Sequence, residues 1–409
     1  MLQYDLGTGA KENWLMAETD FDIRHQGKCE AIFCLGNGYL GQRAAFEEKY
    51  VGQTRDMLVT GTFDRFDEQE VTELPNIADV TNMELILNGE RFSMDSGAMT
   101  GYLRVMDLRT GELTRSLCWT SPTGKTYRLD FSRFVSLTRE HVLGQRVVVT
   151  PLDGPCALRM DSGIDGQVTN TGTQHFHEGS KRIFDNRILR MSQKTIQSAV
   201  TVCVHTAHQY YLNDTPAEGK LLPVIDRRAM SIRGTFEVPR GVSFRIDKLT
   251  VVTTGRDLAY ARLAEEKAAE ASEEDGRAMM EEALSMGYDA LFAESRTAWA
   301  DLWSRCDVLV DAGKSTDQLL IRFALYHLNI MCSKRDSRVG IGAKGLTGEG
   351  YKGHSFWDTE IFILPYFILT QPEAARKLLE YRFLGLDGAR RKAAENGFLG
   401  AMYPWEAAT

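Results

Sequence analysis

The sequence predicts a multidomain β + α chain: an N-terminal antiparallel β-sandwich, a helical linker, and then the first part of an α/α toroid. Three observations predict this order. Short β-type runs between turn signals continue to about position 255, an Ala- and Glu-rich stretch follows, and helices interrupted by a glycine-rich loop occupy the rest. With 409 residues, the chain is also too long for a single ordinary core. We expect the sandwich over 1–255, the linker over 256–310 and the barrel-like domain over 311–409.

The N-terminal region is predicted to be β because its apolar residues alternate with polar ones or are β-branched. Turn signals such as NGE, PTGK and LDGP separate the runs, and few stretches have the length and period of a helix. This pattern is typical of a large antiparallel sandwich and not of alternating strands and helices. The runs that carry the prediction are 83–94, 113–137, 141–152, 199–206 and 242–254.

The predicted linker is rich in Ala, Glu, Leu and Met, and its apolar residues recur at spacings of three and four. Two helices that meet at Gly276 or at Gly287 fit this stretch. Beyond it, a helix is followed by a loop with six glycines in the fourteen residues 340–353, and a later helix is predicted to begin at Pro372. Alternating loops and helices are typical of an α/α toroid. Roughly a hundred residues cannot close such a ring, so we expect the chain to be part of a longer protein.

Composition narrows the classes of protein. The net charge of −8 argues against a nucleic-acid or anionic-membrane partner. The longest apolar run, 361–369, is about half of the ~20 residues that a membrane span requires. The chain start lacks the pattern of a signal peptide, and seven scattered cysteines without a CxxC pair indicate reduced thiols. We therefore expect a cytoplasmic protein.

Two segments, 36–41 and 348–353, match G-x-G-x-x-G. A dinucleotide site needs a strand before this motif, a long crossover helix after it and an acidic residue about 20 positions further on. The segment after the first motif reaches Val51-Gly52 too soon for a crossover, and a helix precedes the second motif. Both motifs fail this test, and the first predicts a tight turn at the edge of a sheet.

The most informative stretch is the glycine-rich loop, which we define as residues 339–360. A hexose pocket needs an apolar face for the C–H surface of the ring and carboxylates that accept hydrogen bonds from neighbouring hydroxyls. In this loop Trp357 would pack on the sugar and Asp358 would bind a hydroxyl pair, with donors nearby on Lys344, Lys352 and His354.

A structural alternative exists for each of these residues. A single Trp in a helical domain is more often core than ligand contact. Glu360, which opens an apolar helix, fits a carboxylate on the helix dipole. On a helix Asp358 and Glu360 would point to different sides, so we do not expect them to act as an acid–base pair. The density of glycine, aromatic and charged residues in one short loop nevertheless favours a sugar site.

Six segments of the chain, together and in order, are similar to glycoside hydrolase family 65, the family of maltose, trehalose, kojibiose and nigerose phosphorylases. The resemblance covers nearly the whole chain. It implies an N-terminal super-β-sandwich, a helical linker, an (α/α)6 barrel and a small C-terminal β-sheet domain, with the barrel cut short in this chain. The segments are 31–48, 73–80, 107–115, 341–367, 378–393 and 400–408.

The resemblance also implies a reaction. Inorganic phosphate attacks the anomeric carbon of the non-reducing glucose of an α-glucoside, the configuration inverts, and β-glucose 1-phosphate is released. An inverting hydrolase needs an acid and a base, whereas phosphate is already an anionic nucleophile and only the general acid is required. The resemblance implies that this acid is a Glu beyond Thr409, so no catalytic residue, metal or cofactor is expected in this chain.

The site residues follow from the same resemblance. The glucose-binding Trp-Asp pair of the family matches Trp357 and Asp358, and Glu406 is expected to shape the acceptor side and not to act as the acid. On weaker grounds, the other substrate-binding candidates are Lys344, Glu349, Tyr403 and Trp405.

Three functions stay open at this point. The chain could be part of an α-glucoside phosphorylase, part of a family 65 hydrolase that uses water, or a carbohydrate-binding module without catalysis. The amino-acid sequence of the glycine-rich loop is more similar to the kojibiose, nigerose and trehalose enzymes than to the maltose enzymes. The expected partners are an α-linked glucosyl disaccharide and phosphate, and we expect that the chain can form a homodimer.

Overall fold

The computed structural model describes residues 2–311 and 315–408, and every strand pair in these residues is antiparallel. The strands are β1 (Leu2–Gln3), β2 (Leu15–Glu18), β3 (Leu35–Gly36), β4 (Leu40–Gln42), β5 (Met57–Val59), β6 (Met83–Leu87), β7 (Glu90–Arg91), β8 (Ala98–Asp107), β9 (Glu112–Thr120), β10 (Thr126–Val135), β11 (Val142–Pro151), β12 (Cys156–Asp165), β13 (Ser180–Phe184), β14 (Ile188–Lys194), β15 (Thr201–Leu212), β16 (Thr215–Pro216), β17 (Lys220–Asp226), β18 (Ala229–Val238), β19 (Phe244–Thr254), β20 (Ser355–Phe356) and β21 (Glu406–Ala407).

Two large sheets dominate the N-terminal region. The larger has eleven strands in the order β1-β2-β8-β9-β10-β11-β19-β15-β14-β13, with β16 paired to β15. The smaller has five, in the order β17-β18-β12-β6-β7. At the centre of the larger sheet β15 and β19 pair along their whole length, from Val202 opposite Thr254 to Leu212 opposite Phe244.

The two sheets pack face to face, and β19 shows how. Phe244 of β19 lies 4.5 Å, centroid to centroid, from the ring of Phe236 on β18 of the smaller sheet. Leu249 and Val251, at positions of the opposite parity, belong to the cluster that packs against the linker helix. Because side chains alternate between faces along a strand, β19 is buried on both sides. The prediction of a large antiparallel sandwich is confirmed.

Six α-helices occur in the described residues: α1 (Gln26–Ile32), α2 (Glu265–Cys306), α3 (Ser315–Met331), α4 (Leu364–Thr370), α5 (Pro372–Leu384) and α6 (Leu386–Glu395). The long α2 covers the outer face of the larger sheet and is broken at Gly287, where φ is 74° and ψ is 168°. This left-handed backbone favours glycine, so the break falls at one of the two predicted positions. Gly276 instead allows close packing, since a Cβ there would lie 2.8 Å from the His205 ring.

The C-terminal residues fold as helices around a separate small core. Leu364 and Phe367 of α4 pack against Leu378 of α5 and Ile341 of the glycine-rich loop. As predicted, α5 begins at Pro372. None of the helices in 2–311 and 315–408 combines the length and the apolar character that crossing a membrane requires. The domain boundaries at 255/256 and 310/311 stay predictions.

The first glycine motif forms the turn between β3 and β4 of a three-stranded antiparallel sheet. The strands beside this motif are antiparallel, whereas the motif of a dinucleotide fold stands in a unit of parallel strands. Gly38 in the turn has φ 88°, and its N–H donates to the Ile330 carbonyl oxygen over 2.8 Å. A Cβ on Gly38 would lie only 2.0 Å from the Cys332 carbonyl oxygen. The hairpin therefore packs directly against the C-terminal end of α3.

Candidate functional site

The glycine-rich loop meets the C-terminal loop 400–408 through a two-stranded sheet. In β20, Ser355 pairs with Ala407, and Phe356 pairs with Glu406 of β21. After β20 the chain enters a π-helical turn at Thr359–Ile363 that leads into α4. The two segments that carry the predicted sugar-binding residues are therefore hydrogen-bonded neighbours.

The aromatic candidates lie together. The rings of Trp357 and Trp405 meet edge to face at 5.2 Å between centroids. Trp357 Nε1 donates to the Pro404 carbonyl oxygen at 2.7 Å, and the Tyr403 hydroxyl donates to the Arg382 carbonyl oxygen at 2.8 Å. Trp357 is 42% exposed, so part of its ring is available to a ligand. These contacts hold an aromatic surface in a defined orientation.

The two carboxylates beside Trp357 have different surroundings. The exposed Asp358 side chain has no hydrogen-bond or salt-bridge partner anywhere in 2–311 or 315–408. Glu360 binds the Arg382 guanidinium at 2.8 and 2.9 Å through both oxygens. Arg382 also donates to the Phe356 carbonyl oxygen at 2.9 Å. Glu360 is therefore used within the protein, whereas the Asp358 carboxylate is free to accept hydrogen bonds from a ligand.

A cavity of about 750 Å³ opens beside this aromatic surface. Its wall combines Trp357 and Tyr403 with the Glu360–Arg382 ion pair, and most of the remaining lining is apolar. Rings and aliphatic side chains suit the C–H face of a sugar, and a few charged groups fix its orientation. The other lining residues are Ile361, Leu379, Ala393, Phe398, Leu399, Ala401 and Met402.

Glu349 lies apart from this cavity, at the contact with the sandwich. It accepts a hydrogen bond from Asn76 Nδ2 at 2.8 Å and another from the Thr171 hydroxyl. Asn76 also donates to Asp56 at 3.1 Å. Burial, together with the nearby charge of Glu349, raises the pKa of Asp56 to about 6. Glu349 thus links the glycine-rich loop to the sandwich, and its predicted contact with sugar stays a prediction.

Lys344 and Glu406 also have roles that the sequence did not indicate. Lys344 is exposed, and its stem lies against Gly350, where a Cβ would be 2.9 Å from Lys344 Cγ. The Glu406 carboxylate is 3.2 Å from His354 Nδ1. The other nitrogen of His354, Nε2, lies 2.6 Å from the Thr72 carbonyl oxygen and therefore donates to it. His354 consequently connects the C-terminal loop to the sandwich.

The structure thus places Trp357 and Tyr403 in the wall of one cavity, with Trp405 packed against Trp357 and with Asp358 outside the residues that line the cavity. It uses Glu349 and Glu406 in contacts within the protein. Sequence reasoning missed Arg382, which orients both Glu360 and Tyr403. Its segment, 378–393, was recognised only as part of the family resemblance. Within the described parts of the chain, no group of three or more His, Cys, Asp and Glu side chains is arranged to hold a metal ion.

Two domains of one protein family match this chain. Residues 16–302 match the N-terminal domain of glycosyl hydrolase family 65, and residues 322–409 match the central catalytic domain of that family. The match at 16–302 alone covers more than half of the chain.

Similar proteins agree with these matches. The chain is 43% identical to a kojibiose phosphorylase of Halothermothrix orenii, over 100% of this chain and 52% of that protein. It is 36% identical to a kojibiose phosphorylase of Escherichia coli, over 96% of this chain and 50% of that protein. An alpha,alpha-trehalose phosphorylase of Thermoanaerobacter brockii is 31% identical, over 96% of this chain and 52% of that protein. The chain thus spans about half the length of the curated relatives it matches.

A solved structure has the same fold. The structure described as "Putative kojibiose phosphorylase from human microbiome" superposes with a TM-score of 0.87. The superposition covers 97% of this chain and 52% of that one, at 20% sequence identity. The arrangement of a large antiparallel sandwich followed by helices is therefore shared with that protein.

Proposed function

The chain belongs to glycosyl hydrolase family 65, and from this premise we propose that it forms the glucose-binding part of an inverting α-glucoside phosphorylase that releases β-glucose 1-phosphate. The observation that carries the proposal is the pair Trp357 and Asp358. Trp357 presents a partly exposed ring at the wall of the cavity, and the next residue carries an exposed carboxylate without a partner in the described residues. Such a pair suits one sugar ring, with stacking from the indole and hydroxyl binding by the carboxylate.

We infer that the disaccharide is kojibiose. Kojibiose phosphorylases of two organisms are 43% and 36% identical to this chain, and the trehalose phosphorylase is 31% identical. In the proposed reaction, a phosphate oxygen forms a bond to the anomeric carbon as the bond from that carbon to the leaving oxygen breaks. The leaving oxygen takes its proton from a general acid, which we propose lies outside 1–409. No organic cofactor or metal enters this reaction.

The remaining substrate contacts are proposals on the same basis. Tyr403 and Trp405 extend the aromatic surface beside Trp357, and they would contact the sugar from the side of the C-terminal loop. Lys344 is exposed, and its contact with a sugar hydroxyl is a proposal from the family resemblance. Glu406, beside Trp405 in the C-terminal loop, would shape the acceptor side, with its carboxylate 3.2 Å from His354 Nδ1. Glu349 accepts a hydrogen bond from Asn76 at the contact with the sandwich, apart from the cavity, and its contact with substrate is a proposal from the family resemblance alone. A homodimer and a cytoplasmic location remain predictions.

The experiment that tests the proposal uses the complete gene product. The protein is incubated with kojibiose, nigerose, trehalose or maltose, with and without inorganic phosphate, and the products are identified by NMR. We expect glucose 1-phosphate in the β configuration from kojibiose, and only when phosphate is present. Release of free glucose from both halves of the disaccharide without phosphate would instead identify a hydrolase. Binding of the disaccharide without cleavage would identify a carbohydrate-binding module.

A further inference from the structure

A buried charge cluster of the sandwich contacts the glycine-rich loop. Lys352 of the loop forms a salt bridge to Glu73, with Nζ 3.2 Å from Oε2. The backbones of the two segments are also hydrogen-bonded, since the Leu74 N–H donates to the Lys352 carbonyl oxygen at 2.9 Å. Glu73 and Leu74 belong to segment 73–80, one of the six segments that carry the family resemblance.

Glu73 is itself held from behind. His175 Nε2 lies 2.8 Å from the second Glu73 oxygen, and His175 Nδ1 lies 3.1 Å from Asp64. Asp64 also accepts the backbone N–H groups of Gln197 and Ser198 at 3.0 and 2.8 Å. The side chains of His175 and Asp64 are almost fully buried. One oxygen of the Glu73 carboxylate is therefore held by groups of the sandwich, and the other binds Lys352 of the loop.

Charge balance favours closure of this cluster by the loop. Burial alone would lower the pKa of His175, but hydrogen bonds to Asp64 and Glu73 outweigh it and raise the pKa to about 9. An imidazolium between two carboxylates leaves one net negative charge in a buried place. A buried unbalanced charge is unfavourable, and the Lys352 ammonium supplies the missing positive charge. Docking of the loop thus neutralises the cluster.

The same contact extends to the aromatic surface. His354, two residues after Lys352, lies against the Phe63 ring and faces both Thr72 and Glu406. Phe356, two residues further on, packs edge to face against Trp405 with 5.7 Å between centroids. A shift of the loop at Lys352 would therefore move the residues that carry the proposed sugar contacts.

We propose that Glu73 of the sandwich, held by His175, is a positioning residue for the sugar-binding segment and acts on it through Lys352. This inference rests on the proposed function for its effect on catalysis. Its structural part does not, because the order of the loop can be measured without turnover. The N-terminal domain then has a direct share in substrate binding, beyond supporting the helical domain.

Hydrogen exchange of the complete gene product tests the structural part. The variants are Glu73→Gln and Lys352→Met, and the matched control is Lys194→Met. Lys194 is as exposed as Lys352, at 46% against 45%, and its salt bridge to Glu265 lies elsewhere in the chain. We expect amides of 345–357 to exchange about tenfold faster in both variants, the factor for losing one hydrogen bond to a charged group. The control should leave them unchanged, and Lys352→Arg should restore wild-type exchange. Unchanged exchange in both variants, or equal acceleration in the control, would overturn the proposal.

Kinetics test the catalytic part. At saturating phosphate, both variants should raise the KM for the disaccharide about tenfold, whereas the KM for phosphate stays within twofold. The double variant should lose no more than the larger single loss, because both substitutions remove one interaction. Additive losses, or a fall in kcat without a change in KM, would refute positioning through this contact. If the wild-type protein cleaves no disaccharide, the proposed function fails, and the exchange experiment still decides whether Glu73 positions the loop.

Discussion

Replacement of Asp358 by alanine should separate stability from activity. The Asp358 side chain is exposed and has no hydrogen-bond or salt-bridge partner in the described residues. A substitution at such a position changes the free energy of unfolding by about 0.5 kcal/mol or less. This carboxylate therefore contributes little to the free energy of folding, and its removal should affect only the binding and conversion of the sugar.

The expected loss of activity follows from the hydrogen bonds that the carboxylate would accept. A hydrogen bond to an ionised carboxylate contributes about 1.5–3 kcal/mol. Loss of two such bonds in the transition state corresponds to about 3–6 kcal/mol, or roughly 10²- to 10⁴-fold in kcat/KM. We expect Asp358→Ala in the complete gene product to fall within this range.

Glu360→Ala provides the contrast, because Glu360 is two residues away and its role is internal. It binds the Arg382 guanidinium through both oxygens at 2.8 and 2.9 Å, and Arg382 remains mostly buried, with 12% of its side chain exposed. Removing Glu360 leaves that guanidinium without its carboxylate, which costs about 1–3 kcal/mol. We expect this variant to unfold at a lower temperature than Asp358→Ala.

Thermal unfolding and steady-state kinetics of the two variants check this reasoning together. The unfolding temperature should fall for Glu360→Ala and hardly change for Asp358→Ala, whereas kcat/KM at saturating phosphate should fall by at least a hundredfold for Asp358→Ala. Wild-type kinetics in Asp358→Ala would reduce this residue to a helix-start residue without a ligand. A large loss of stability in Asp358→Ala would show that its carboxylate has a structural role.

Three further predictions concern stability and the extent of the active site. The pKa of His175 is raised from 6.5 to about 9, so its contribution to stability is complete below about pH 6.5 and is lost as the pH rises through 9. The free energies of unfolding of wild type and His175→Gln, measured with denaturant, should therefore differ by roughly 3 kcal/mol at pH 6 and much less at pH 10. Gly38→Ala should lower the free energy of unfolding by at least about 2 kcal/mol, because residue 38 has a positive φ and the new Cβ would clash with the Cys332 carbonyl oxygen. The control Gly154→Ala, with no atom within 4 Å of the new Cβ, should leave the free energy of unfolding nearly unchanged in the same assay. The 409-residue chain alone should release no glucose 1-phosphate from any glucosyl disaccharide in phosphate buffer, and release would mean that the general acid lies within 1–409.

Local features of the fold could be predicted because they are encoded in neighbouring residues. The alternation in 242–254 predicted the strand β19, and Pro372 predicted the start of α5. The sequence predicts a break in α2 at Gly276 or at Gly287, since either glycine can adopt a left-handed backbone. Only the packing of α2 on the sheet decided between them: Gly276 faces the His205 ring and stays helical.

The candidate site was predictable in part, for the same reason. Density of glycine, aromatic and charged residues marked the glycine-rich loop, and the family resemblance singled out Trp357 and Asp358. Nothing local indicated that Asp358 would lack a partner while Glu360 binds Arg382. That difference depends on where α5 packs against the loop.

By itself, the sequence determined that the chain is β-rich and then helical, that its two G-x-G-x-x-G segments lack the sequence context of a dinucleotide site, and that residues 339–360 are exceptional. Periodicity, glycine content and motif spacing are properties of short segments, and they can be read from the sequence without knowledge of the fold. The tertiary structure alone decided that Glu73 meets Lys352 and that β20 pairs with β21. Such contacts join residues far apart in the chain, and they arise from how whole sheets and helices pack, which no local pattern records.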